Sequence, residues 1–318
     1  MNAKPSGTPS NLIDPRATNL RVLTMARNEP AMNVRQLRIS RRSIAMAAAF
    51  AGTVSLAIGA HAALNKRPLE VASTTAAVEQ STDAAKRPSR IALVIGNGHY
   101  PDASAPLTQP INDARGLTAA LRRDGFDVDV VEDASRDDMN RAIGRLKARI
   151  RPDSVVLLYF GGYGVQVGRE SYMIPVDATI WRESDVRRGG ISIESVLDAM
   201  KEQGARARLA VIDASRRNPY ERRFRTFSHG LAPIAASDNA LILTSATPGK
   251  VADDGNGQTS VLMAELLNNL NAQGTGVEAA FNKTRLAVSR ASEGEQVPAV
   301  SSSLSEDVHL SAAENTGG

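Results

Sequence analysis

The run Ser154-Val155-Val156-Leu157-Leu158-Tyr159-Phe160 carries no strongly polar side chain after its serine. Successive residues of a strand point to opposite faces, so a strand with one wet face alternates apolar and polar. A run that is apolar at every position needs cover on both faces, as in a parallel sheet held between helix layers. Leu157 and Leu158 are therefore both expected to be buried. Residues 91–95, 126–131, 209–212 and 241–243 supply further short strands. Helical spacing separates them. Residues 113–123 put Ala114, Leu117, Ala120 and Leu121 on one face, and residues 136–150 do the same with Met139, Ile143, Leu146 and Ile150. More helices are expected over 193–201, 259–270 and 277–289. Strand and helix in alternation imply an α/β fold with a mostly parallel sheet and helices on both faces.

Composition narrows the chemistry. At 318 residues the chain is long enough for one large core, and 42% apolar with 23% charged residues marks a globular protein. The net charge of +4 is mild and spread along the chain, so no nucleic-acid partner is expected. There is no cysteine, which excludes disulfides, thiolate metal ligands and thiol catalysis. The four histidines, His61, His99, His229 and His309, lack metal-ligand spacing, so neither a metal nor another cofactor is expected.

Two segments carry a resemblance. Leu209-Ala-Val-Ile-Asp213-Ala214-Ser215-Arg216-Arg217-Asn218-Pro219 resembles the nucleophile strand of the bacterial caspase-like peptidases, the metacaspases and orthocaspases. In that family an Asp-Ala-Cys-Arg-x-Asn-Pro run holds the catalytic cysteine. Tyr159-Phe160-Gly161-Gly162-Tyr163-Gly164 resembles the Tyr-x-Gly-His-Gly turn that holds the catalytic histidine. Tyr163 and Ser215 lie 52 positions apart, close to the spacing of about 50 expected for a caspase pair. Arg90-Ile-Ala-Leu-Val-Ile-Gly96-Asn97, Pro110-Ile-Asn112-Asp113-Ala114, Tyr172-Met-Ile-Pro175-Val-Asp177, Gly230-Leu-Ala-Pro and Thr247-Pro248-Gly249 extend the resemblance over roughly Arg90 to Leu310. It implies a caspase-like three-layer sandwich and a cysteine-type endopeptidase family. It also implies that both catalytic residues are replaced, by Tyr163 and Ser215.

Those replacements bear on chemistry. Serine needs a strong adjacent base to attack a carbonyl. A phenol with pKa near 10 is ionised about one part in a thousand at neutral pH, roughly 4 kcal/mol uphill. Tyr163 is expected to donate a hydrogen bond to Ser215 rather than take its proton. His99, His229 and Lys250 are the substitute bases to weigh, though none sits in a catalytic motif. Backbone N–H groups near Gly164 and Ser215 are candidates for an oxyanion nest. By the resemblance, Asp113 and Asp213 line an acidic pocket for a basic side chain. Other readings stay open: Asp113 caps the helix it begins, and Asp213 braces a loop. Arg206, Arg208, Arg216, Arg217, Arg222, Arg223 and Arg225 make this edge basic, either as a solvated loop or as a seat for an acidic partner or lipid headgroup. Asp253, Asp254, Asn256 and Gln258 form an oxygen-rich stretch better explained by turn chemistry than by calcium. The expected function is a catalytically inactive pseudopeptidase that binds a peptide or protein ligand. The alternative is a hydrolase that uses Ser215 as nucleophile.

The N-terminal part reads separately. Residues 1–38 are polar and without period, and are read as disordered. Residues 39–65 contain Arg41-Arg42 and then an uncharged 21-residue run over 44–64, where a bilayer needs about 20 apolar residues. Arg35, Arg38, Arg41 and Arg42 all precede the run, which predicts export of the chain from Lys66 onward. A single-pass anchor in the inner membrane, facing the periplasm, and a cleaved signal releasing the chain to the periplasm both fit. Ala60-His61-Ala62 is the small-x-small site for the latter, and Arg41-Arg42 resembles a twin-arginine signal. Residues 66–89 read as a linker, 90–312 as the caspase-like domain and 313–318 as a tail.

Overall fold

The computed structural model describes residues 89–101, 106–224, 229–252, 257–271 and 274–310. The expected disordered segment, the apolar run over 44–64, nearly all of the linker, Arg225, Asp253, Asp254, Asn256 and the tail lie outside these residues.

Six strands form the main sheet: β1 (Arg90–Gly96), β2 (Asp127–Glu132), β3 (Val155–Gly161), β7 (Ala207–Asp213), β8 (Ala240–Thr244) and β9 (Ala299–Ser302). Their order is β2-β1-β3-β7-β8-β9. All neighbours are parallel except β9, which pairs antiparallel with β8. β3 is buried at every residue. Leu157 and Leu158 face opposite layers. Leu158 packs with Met139, Leu146, Ile193 and Val196, whereas Leu157 packs with Leu117, Leu121, Leu266 and Phe281.

The first of these layers holds α2 (Arg136–Arg149) and α4 (Ile193–Glu202). The second holds α1 (Gln109–Arg123), α5 (Val261–Leu270) and α6 (Val277–Ala291). This is the three-layer α/β sandwich expected. Local chemistry fixes the helix starts. Ser135 and Asp138 form a capping box on α2, and the Ser192 and Ser260 hydroxyls each accept an N–H of the first turn of α4 and α5. Asp177 accepts the Arg136 N–H at 2.8 Å, which ties the Pro175-Val-Asp177 motif to the start of α2.

Sequence patterning did not disclose a small antiparallel sheet, β4 (Gly164–Val167), β5 (Glu170–Met173) and β6 (Ile191–Ser192), or the short helix α3 (Glu183–Gly189). These elements surround a third cluster that includes Tyr100, Tyr163, Val165, Tyr172, Ile174 and Tyr220. α1 also begins earlier than expected, at Gln109 after an N-cap at Thr108. Asp113 therefore sits in its second turn and does not cap it.

Candidate functional site

β3 and β7 run side by side in register, with Gly161 opposite Asp213. The chain leaves both strands at the carboxyl edge of the sheet, where open α/β sheets place their sites. The two exits are stitched together. Gly162 donates its N–H to Asp213 O at 3.2 Å, and Gly164 donates to Ala214 O at 3.0 Å. The approach is close enough to demand glycine. A Cβ at Gly164 would lie 2.7 Å from Ala214 O and 2.6 Å from Leu231 Cδ2, and one at Gly162 would meet the Tyr100 hydroxyl at 2.5 Å.

The structure thus brings the Tyr163 and Ser215 positions onto adjoining turns. Their side chains do different things. The Tyr163 ring meets Tyr100 edge-on, with centroids 4.8 Å apart, and is 8% exposed. It is packed as an aromatic. Ser215 is 1% exposed, and its Oγ has no hydrogen-bond partner among the described residues. The expected bond from Tyr163 to Ser215 is therefore absent. Neither His99, His229 nor Lys250 bonds to this hydroxyl. His99 is exposed, with its ring nitrogen 2.5 Å from Asp133 Oδ2, and Lys250 is exposed.

The backbone N–H groups around the expected oxyanion nest are already engaged. Gly164 donates to Ala214 O, Tyr163 N donates to the Tyr100 hydroxyl at 3.0 Å, and Ser215 N donates to Ser245 Oγ at 3.3 Å. Tyr100 in turn donates to Ile174 O at 3.0 Å. Asn97, fully buried, clamps the same region: it accepts from Ala134 N and donates to Ile174 O.

Asp113 and Asp213 are both buried. Asp113 accepts the Ser260 N–H with both carboxylate oxygens, at 3.1 and 3.3 Å. Burial, and then the nearby Asp213 charge, push its carboxyl up to about 7, against the pull of Ser260 and Arg216. Sequence reasoning missed the role of Arg216. The sequence groups it with a basic surface, yet it is 4% exposed. Its Nη1 lies 3.5 Å from Asp213 Oδ1, and donates to Gly162 O at 3.0 Å and to Asp213 O.

The basic edge is likewise not one surface. Arg206 and Arg208 lie at the start of β7, at the end of the sheet opposite Ser215. Arg208 is buried and donates to the carbonyls of Leu197, Ser237 and Asp238. Arg206 pairs with Glu306 at 3.1 Å. Arg223 lies over the Trp181 and Tyr220 rings. Arg217 and Arg222 remain exposed.

A family model described as the caspase domain matches residues 89–309. The chain is 29% identical over 144 residues to the mucosa-associated lymphoid tissue lymphoma translocation protein 1 of Homo sapiens, across 45% of this chain and 17% of that protein. Its Mus musculus homologue is 29% identical over 136 residues, across 42% of this chain and 16% of the relative. The chain thus spans about a sixth of the length of these curated relatives.

Proposed function

This chain belongs to the caspase-domain family, and we propose that it acts there as a pseudopeptidase: it binds a peptide or protein segment without cleaving it. The observation that carries this reading is the buried, unbonded Ser215 hydroxyl. A serine nucleophile needs a base within hydrogen-bond reach, and none is in place among the described residues. The engaged N–H groups of Tyr163, Gly164 and Ser215 add to it, since a tetrahedral oxyanion would find them occupied. Asp113 and Asp213 are the residues proposed to hold a basic side chain of the ligand.

The arginine-flanked apolar run over 44–64 supports delivery of the domain to the periplasmic side, as an anchored or a released protein. Among the described residues no helix is long and apolar enough to cross a membrane, so the proposal rests on sequence. A C-terminal alkaline phosphatase fusion is expected to be active, and one that is inactive while a cytoplasmic reporter works would overturn this location.

The test of inactivity is direct. Wild-type protein is incubated with peptides cleavable after Arg, Lys or Asp, and in parallel with a fluorophosphonate probe. Neither turnover nor labelling of Ser215 is expected. Cleavage that disappears in Ser215→Ala would replace the pseudopeptidase reading with a serine hydrolase.

A further inference from the structure

Trp181 is the chain's single tryptophan, and it is 65% exposed. Among the described residues Leu286, on α6, is the other large apolar side chain left open to solvent. The indole is held in place. Its backbone N–H and that of Arg182 both donate to Asp185 Oδ2, at 3.1 and 3.2 Å, which pins the turn before α3. The Arg223 guanidinium lies 4.6 Å from the ring centroid and 5.6 Å from that of the buried Tyr220 ring, and its Nη1 donates to Ile180 O at 2.5 Å. Tyr220 and Arg223 thus back the indole from the protein side.

Arginines surround it. Arg182 and Arg188 both pair with the Asp185 carboxylate, and both side chains are exposed. Arg222 is exposed beside Arg223 in the short turn Glu221–Arg223. Three carboxylates lie among these four arginines, but Asp185 is buried and Glu183 and Glu221 are half-buried. The charge that reaches solvent is therefore positive.

We propose that this patch docks the domain onto an anionic lipid surface, with the Trp181 indole in the headgroup layer and Arg182, Arg188 and Arg222 on the phosphates. Tryptophan settles at the water–hydrocarbon boundary because its ring is apolar while its N–H still finds partners there. Guanidinium groups meet phosphate oxygens through parallel N–H bonds. Size favours lipid over an acidic protein. One indole supplies at most about 250 Å² of contact, whereas a stable protein partner covers about 800 Å². A charged bilayer sets no such threshold, since each cation near it contributes separately. The inference rests neither on whether the domain cleaves nor on how the chain reaches a membrane.

Trp181 is its own reporter, because the chain has no other tryptophan. The full chain is mixed with phosphatidylcholine vesicles, with and without phosphatidylglycerol, whose brominated acyl chains act as quencher. On the anionic vesicles the indole emission is expected to move to the blue and to be quenched. On pure phosphatidylcholine neither change is expected, even where residues 44–64 hold the chain to both. Combining Arg182→Gln, Arg188→Gln and Arg222→Gln is expected to lower the ratio of docked to undocked indole about a hundredfold, through the loss of three surface cations. Lysine at the same three positions retains most of the response. In Trp181→Phe with Leu286→Trp the sole tryptophan moves to α6, and its emission is expected to stay unchanged. Equal changes on both vesicle types, or an unaltered response in the glutamine variant, overturn the proposal. A blue shift produced by polyglutamate and not by anionic vesicles replaces the lipid surface with an acidic protein partner.

Discussion

The Asp113 carboxylate grips the backbone N–H of Ser260, 147 positions later in the chain, at 3.1 Å. Ser260 is the N-cap of α5, so a carboxyl from one helix of the layer fixes the start of another. Burial and the Asp213 charge raise this carboxyl to about 7, above its value of about 4 in an unfolded chain. Between those two values the folded state holds a proton that the unfolded chain has released. The stability contributed by Asp113 is therefore present at acidic pH and is lost as pH rises through about 7. Asp113→Asn is expected to match wild type near pH 4 and to gain on it by up to about 4 kcal/mol near pH 8. Urea denaturation of both proteins across that range checks this, and a pH-independent difference would refute it.

Leu157→Ala and Leu158→Ala are each expected to cost about 2–5 kcal/mol, since each side chain fills a separate layer. Unchanged thermal midpoints for both would mean that β3 is not covered on two faces.

Ser215→Ala is expected to be neutral or to stabilise by about 1 kcal/mol, because it removes a buried hydroxyl that bonds to nothing. A loss of more than about 2 kcal/mol would show that the hydroxyl has a partner in solution.

Gly164→Ala is expected to lose about 1–3 kcal/mol, because its methyl would press on Ala214 O and Leu231. Calorimetry decides it, and an unchanged midpoint would show that the two turns are not held in contact.

Tyr163→His with Ser215→Cys restores both residue types of the family dyad. Weak cleavage after Arg or Lys is the expected result, limited by the N–H groups already engaged at Gly164 and Ser215. A double variant no more active than wild type would show that the two positions are not held in catalytic register.

How much of the molecule is legible in the sequence depends on how local each signal is. β1, β2, β3, β7 and β8 and the faces of α1 and α2 are legible because burial on both sides of β3, and on one stripe of each helix, writes a short-range period, whereas β9 was not expected. The adjoining of the Tyr163 and Ser215 turns is legible only through the resemblance, since 52 positions of sequence lie between them. β4, β5 and β6 have two to four residues each, too few to display alternation. Arg216 is misleading in the sequence because a charge in a loop is ordinarily solvated, and its burial depends on Asp213 and Gly162 O, which only the fold brings within reach. The Ser260 partner of Asp113 is hidden for the same reason.

The placement of β7 has a consequence during synthesis. This strand sits in the middle of the sheet, between β3 and β8, yet 45 residues separate it from β3. A ribosome adding about 5–20 residues per second needs roughly three to ten seconds to supply β7 after β3 has emerged. Throughout that interval the flank of β3 that pairs with β7 lacks its partner and presents unpaired N–H and C=O groups. Until β7 arrives, that flank is an open edge to which another chain could pair.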